Sequence, residues 1–182
     1  MNKGIVFCGF MGAGKSRIGW LTAGRLGFRF EDLDESITKS EKSSITEIFN
    51  KHGEKYFREL ELKHLYEKIN DTDRILSLGG GTLQTQQVVD DIKNENLLVF
   101  IAPPFNEILQ RVKGNDKRPL VMNPDGSPKS FKELSSELAD LYTKRLEYYE
   151  QADITLKTEP LWDSFQSTNN LIQLLGEYGY QI

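Results

Sequence analysis

Eight consecutive residues, Gly9-Phe10-Met11-Gly12-Ala13-Gly14-Lys15-Ser16, place three glycines, an ammonium and a hydroxyl in one short turn. In that pattern the glycines let successive backbone N–H groups turn inward around phosphate oxygens. Gly12, Ala13 and Gly14 supply those groups, and a helix beginning near Lys15 adds the positive end of its dipole. Lys15 can reach the β- and γ-phosphates of a nucleoside triphosphate, and the Ser16 hydroxyl can ligate Mg²⁺. A glycine-rich strand-to-helix turn with a chance lysine is the plainer alternative. The apolar strand before it and the helical pattern after it argue for the phosphate loop.

Asp32 and Asp34 flank Leu33 behind a second short strand-like stretch. On extended chain their carboxylates fall on the same side. One can then hold Mg²⁺, directly or through water, while the other orients an acceptor hydroxyl. The competing reading is an N-cap and a dipole partner for a helix starting near Glu35.

Two arginines stand where helical periodicity calls for apolar residues. Arg58 extends the stripe of Leu62, Leu65, Tyr66 and Ile69, with Glu61 placed to pair with it. Arg145 falls on the stripe of Leu138, Leu141, Tyr142 and Tyr149. An inward guanidinium not neutralised by the protein needs an anion, and two of them suit a small anionic acceptor held by planar forks. Phe49 and Phe57 can wall a ring beside Arg58. Gly79, Gly80 and Gly81 close an apolar strand, where missing side chains let backbone approach a ligand. Arg111 and Arg118, with Lys117 beside the latter, edge a long polar loop and are candidates for neutralising phosphate charge on closure.

These residues need elements to position them. Residues 4–8 form an apolar run that reads as a buried parallel strand. Residues 16–26 read as a helix ended by Gly27, and 28–31 as a second strand. Ser44-Ile45-Thr46-Glu47 has the capping-box pattern and starts a short helix through Phe49, followed by a longer one over about 54–69. A strand over 74–78, a helix over 84–93, a strand over 97–102 and the helical spacing of Phe105, Ile108, Leu109 and Val112 come next. Residues 113–129, rich in Gly and Pro, read as a loop long enough to serve as a lid. A helix over about 131–150, a strand over 153–157 and a helix over about 162–178 follow. Such alternation gives the α/β class, with a parallel sheet covered on both faces. Ligands of such sheets bind beyond the carboxyl ends of the strands. Segments 9–16, 32–34 and 79–81 therefore face one crevice.

The gross numbers agree. A chain of 182 residues with 38% hydrophobic and 27% charged residues suits one globular domain. The net charge of −4 argues against a nucleic-acid-binding surface, so any phosphate is gripped locally. Cys8 is the one cysteine, which excludes an intrachain disulfide and points to a reducing compartment, the cytoplasm. No stretch has the apolar length of a membrane span, and no signal peptide is expected. His52 and His64 lack metal-site spacing and read as surface residues.

The quoted residues resemble the shikimate kinase family. The matching segments are GFMGAGKS (9–16), FEDLDESI (30–37), SITEIFNKHGEKYFRELE (44–61), SLGGGT (77–82), KRPL (117–120) and KRLEYYEQAD (144–153). They run in the family's order from the first strand to the last. The phosphate loop is common to many families, whereas FxDxD, GExxFRxxE, GGG, RPL and RxxxY in combination are specific. The resemblance implies a three-layer P-loop kinase fold of the nucleoside-monophosphate-kinase type, with a five-stranded parallel sheet and a mobile lid. It implies a single domain over 1–182, with an acceptor-binding segment at about 32–61 and the lid at about 113–130.

The implied activity is ATP-dependent phosphorylation of the shikimate 3-hydroxyl, giving shikimate 3-phosphate and ADP on the route to chorismate and aromatic amino acids. The resemblance assigns shikimate to Asp34, Arg58, Gly79, Gly80, Gly81 and Arg145, with Phe49 and Phe57 lining the pocket. It places Lys15 and Arg118 on the phosphates, Ser16 and Asp32 around Mg²⁺, and Arg111 near the adenine. Many members carry an arginine near the adenine after the last strand. No arginine follows Arg145 here, which leaves Lys157 or a backbone contact for that place. The segment 123–128 is longer than usual, so the lid closes with its own geometry. The expected partners are ATP and shikimate, with no nucleic acid, no membrane and a monomeric chain. Two alternatives stay open: another small-molecule P-loop kinase of gluconate-like type, and a silent nucleotide-binding module. The joint presence of Lys15, Ser16, Asp32 and Asp34 argues against the silent module.

Overall fold

The structure, a computed structural model, describes residues 3–113, 119–121, 123, 127, 129–160 and 162–181. Its elements are β1 (Gly4–Cys8), α1 (Lys15–Leu26), β2 (Arg29–Asp32), α2 (Leu33–Glu41), α3 (Ile45–Lys68) and β3 (Arg74–Ser77). They continue with α4 (Gln86–Glu95), β4 (Asn96–Ala102), α5 (Phe105–Val112), α6 (Phe131–Tyr149), β5 (Ile154–Lys157) and α7 (Ser164–Glu177). A 3-10 turn at Pro119–Val121 lies between α5 and α6. The strands form one sheet in the order β2-β3-β1-β4-β5, with every pairing parallel. This is the five-stranded parallel sheet expected from the sequence.

Because successive strand side chains alternate, β1 and β4 split their apolar residues between two cores. Ile5, Phe7, Val99 and Ile101 join Ile18 and Ala23 of α1 and Leu171 and Leu175 of α7 on one face. Val6, Cys8, Leu98 and Phe100 face the helices α2 to α6 on the other. A strand buried on both faces reads as a continuous apolar run, which explains why residues 4–8 were legible. β1 leads into α1 on the first face, whereas neighbouring β3 leads into α4 on the second. Their carboxyl ends therefore open a crevice where the connections part. The segments 9–16, 32–34 and 79–81 all leave the sheet at that edge.

Several expectations are corrected. The break expected between a short helix and a longer one over 45–69 is present at Gly53, whose φ of 81° and ψ of 172° are not helical, although the first helix runs on past Phe49. Glycine alone adopts that conformation cheaply. The capping box holds: the Glu47 N–H donates to Ser44 Oγ at 3.2 Å, and the Ser44 N–H donates back to the Glu47 carboxylate at 2.7 Å. β2 stops at Asp32, so Asp34 stands in the first turn of α2 rather than on extended chain. His64 is buried rather than superficial, whereas His52 lies against the Tyr56 ring at 4.6 Å. Tyr66, expected inward, is 43% exposed, and its hydroxyl donates to Asp91 at 2.6 Å.

Cys8 is enclosed on the α2–α6 face, and burial pushes its thiol up to about 12. A raised pKa means less thiolate at any given pH. The folded protein at pH 8 should therefore leave a disulfide thiol reagent almost unreacted, with one equivalent consumed on unfolding. Rapid native labelling would show that this core opens.

Candidate active site

The phosphate loop is already shaped. Gly12 and Gly14 have φ of 76° and 98°, the left-handed region open to glycine. Gly14 is the N-cap of α1, and the Lys15 ammonium donates to the carbonyls of Gly9 at 2.8 Å and Phe10 at 3.0 Å. The buried lysine thus folds over its own loop and needs only to exchange carbonyl partners for phosphate oxygens. The Ser16 hydroxyl donates to Asp32 Oδ2 at 2.5 Å. Asp32 Oδ1 accepts from the N–H groups of Asp34 at 3.0 Å and Glu35 at 3.3 Å. The N-cap reading of Asp32 therefore holds, with one oxygen capping α2 while the other accepts from Ser16 of the phosphate loop. A hydroxyl and a carboxylate side by side suit Mg²⁺, which keeps waters and substrate phosphates as its remaining ligands. Among the described residues no cluster of three or more His, Cys, Asp or Glu forms a protein-only metal cage.

A cavity of about 560 Å³ opens beside the loop, and all eight residues expected around the acceptor line it: Asp34, Phe49, Phe57, Arg58, Gly79, Gly80, Gly81 and Arg145. The Gly53 break folds the first turns of α3 back, so the Phe49 and Phe57 rings meet at 4.8 Å. The Arg58 guanidinium lies over both, at 6.0 and 5.4 Å from their centroids. Glycine at 79–81 is required by close approach. A Cβ on Gly79 would stand 2.4 Å from Glu61 Oε1 and 2.7 Å from Asp34 Oδ1. One on Gly81 would stand 2.7 Å from Arg58 and 2.8 Å from Arg145. The carboxylate of Asp34 and both guanidiniums thus converge on this bare stretch of backbone.

The two guanidiniums differ electrically. Arg58 pairs with Glu61, whose side chain is 1% exposed, and with Glu54 at 2.9 Å. Burial lowers its pKa, but the Glu61 and Glu54 carboxylates more than offset that and the net shift is upward. The Glu61 pair expected from the i+3 spacing is present, and with Glu54 added Arg58 does not itself require an external anion. Arg145 lies over the Phe10 ring at 5.6 Å, and its pKa is lowered, chiefly by burial and further by the Arg58 charge; Tyr149 and Glu61 offset part of this. It is the cation left for a ligand anion. Tyr149, whose hydroxyl donates to Gly80 O at 2.6 Å, is held protonated by burial and ties α6 to the glycine strand end.

Sequence reading under-weighted this supporting layer. Glu61 also accepts from Thr82 Oγ1 at 2.8 Å, and its i+3 spacing from Arg58 was the available signal. Met11, Ile45, Leu120 and Leu141 line the cavity without any chemical signature in the sequence. Arg111 lies beside the phosphate loop, donating to Gly12 O at 3.3 Å and to Glu107 at 2.5 Å. Arg118 and Lys117 lie outside the described residues. Lys157 lines a second cavity of about 620 Å³ with Phe105, Tyr142 and Glu150.

Comparisons with known proteins agree with this geometry. A family model described as shikimate kinase matches residues 11–174. A shikimate kinase of Persephonella marina is 36% identical over 157 residues, spanning 86% of this chain and 90% of that protein. One of Aquifex aeolicus is 36% identical over 155 residues, spanning 85% and 86%. The solved shikimate kinase of Acinetobacter baumannii, in complex with shikimate, aligns with a TM-score of 0.85 at 27% identity, over 97% of this chain and 94% of that one. With a family model running from the phosphate loop into the last helix, and relatives of this identity along nearly their whole length, the chain belongs to the shikimate kinase family.

Proposed function

We propose that the chain transfers the γ-phosphoryl of ATP to the 3-hydroxyl of shikimate, releasing shikimate 3-phosphate and ADP. The observation that carries this reading is the convergence of Asp34, Arg58 and Arg145 on residues 79–81, in a cavity that reaches Met11 of the phosphate loop. Arg145, backed by Arg58, takes the ring carboxylate through charge-assisted hydrogen bonds. Phe49 and Phe57 cover the ring, and the backbone at 79–81 meets its hydroxyls. Asp34 accepts a hydrogen bond from the attacking hydroxyl and receives its proton as the oxygen–phosphorus bond forms and the bond to the ADP oxygen breaks in line.

Lys15 moves from its loop carbonyls to the phosphate oxygens, and Gly12, Ala13 and Gly14 present N–H groups to them. Ser16 and Asp32 would hold Mg²⁺, which neutralises phosphate charge when bound. Segment 113–130 serves as a lid that brings Arg118 to the phosphates, and Leu120 within it lines the acceptor cavity. Closure excludes water, which would otherwise compete as acceptor. Arg111 borders the nucleotide. Residues 1–182 act as one domain, and the chain works as a monomer in the cytoplasm.

The test is ADP release with ATP and Mg²⁺ in the presence of shikimate, gluconate, nucleoside monophosphates or no acceptor. Turnover with shikimate alone is expected. Turnover with gluconate, or none with any acceptor despite ATP binding, would overturn the assignment.

A further inference from the structure

Three consecutive glycines have the most conformational freedom of any backbone in the acceptor cavity, yet a side chain holds every carbonyl among them. Gly79 O accepts from Thr82 Oγ1 at 3.1 Å, and the Thr82 N–H closes the turn onto the same oxygen at 3.3 Å. Gly80 O accepts from the Tyr149 hydroxyl at 2.6 Å, and Gly81 O from Gln84 Nε2 at 2.6 Å. The three glycines line the cavity, and the three donors stand outside its wall. Among the described residues, none accepts a hydrogen bond from the N–H of Gly80 or Gly81.

In a trans peptide the N–H points opposite to the carbonyl of the same plane, and among the described residues no peptide bond is cis. Holding the Gly80 carbonyl on Tyr149 therefore aims the Gly81 N–H the other way. Thr82 does the same for the Gly80 N–H. Gly81 also lies against both guanidiniums, since a Cβ there would stand 2.7 Å from Arg58 and 2.8 Å from Arg145. We propose that Tyr149 is a positioning residue for the acceptor: its hydroxyl, acting through the Gly80–Gly81 peptide, fixes the Gly81 N–H as a further donor to the anionic group that Arg145 and Arg58 hold. The ring is fixed in turn, 5.2 Å from Phe100 of β4, so the sheet sets the direction of the peptide. A glycine peptide without that anchor samples both signs of φ and must be ordered anew at each binding event.

The inference rests on the shikimate reading above, and its test separates the two. Tyr149→Phe removes the hydroxyl and keeps the ring on Phe100. Relaxation of ¹⁵N in the ligand-free protein should show the Gly81 amide loosened in the variant, with the Gly80 amide as rigid as in the parent. The shikimate KM should rise about fivefold, the size of one neutral hydrogen bond, with kcat and the ATP KM within about twofold. Tyr149 also bonds to Arg145, so the substitution is repeated in Arg145→Met, where the same fivefold loss is expected. A loss that disappears in that background would mean that the hydroxyl serves the guanidinium, and would overturn the proposal. A parental KM or an equally rigid Gly81 amide in Tyr149→Phe would overturn it too. A parent that binds ATP and ignores shikimate, while its Gly81 amide still depends on Tyr149, would sink the acceptor assignment alone.

Discussion

Asp34→Asn should lower kcat for shikimate phosphorylation by about a hundredfold, roughly 2.7 kcal/mol of transition-state stabilisation, while the shikimate KM moves only a fewfold. The substitution is nearly isosteric. It keeps an oxygen able to accept the hydrogen bond and leaves the Asp34 N–H on Asp32 Oδ1 at 3.0 Å undisturbed. It removes the negative charge that draws the acceptor proton as the new bond forms. The carboxylate is also closely placed, 2.7 Å from where a Cβ on Gly79 would stand, so it meets the acceptor over bare backbone. An interaction made mainly in the transition state lowers kcat and kcat/KM together. Steady-state kinetics with both substrates varied, beside a melting curve, makes the check. Near-normal turnover would remove Asp34 from the chemistry, and a raised shikimate KM with normal kcat would make it a binding group.

Much of this site could be read from the sequence because each signal is local. The phosphate loop, the capping box at Ser44 and the double-sided strand at 4–8 depend on neighbours within one turn or one pleat. What escaped depends on packing between elements. Arg58 was read with Glu61 as its one protein partner and assigned to a ligand anion, yet Glu54 at i−4 joins Glu61 at i+3 in pairing with it. The helical rule exposes both partners, and the burial that makes the Glu61 contact matter is tertiary. Asp32 was read as either cap or metal-side ligand; one of its two oxygens makes the cap, and the other accepts from Ser16. Lys157 looked available to the nucleotide by position alone, but alternation on β5 turns it to the face of α6.

That contrast between the two guanidiniums sets the second large effect. Arg145→Met should raise the shikimate KM about ten- to a hundredfold, the range for losing one or two charge-assisted hydrogen bonds. The ATP KM should be unchanged and the melting temperature close to that of the parent. Methionine keeps the stem over Phe10, and deleting a cation whose pKa burial already depresses relieves strain instead of leaving a charge bare. Arg58→Met should behave differently despite its equal place in the cavity. It strands Glu61, a carboxylate whose side chain is 1% exposed, and breaking such a pair costs about 3–5 kcal/mol of stability. Its raised KM should therefore come with a melting point lower by several degrees, and Arg58→Met/Glu61→Gln should recover much of that stability but not the KM. Kinetics and thermal melts of the three variants decide the matter. A parental KM in Arg145→Met would mean that Arg58 alone carries the acceptor's charge, and equal melting temperatures would mean that Glu61 finds another partner once Arg58 is gone.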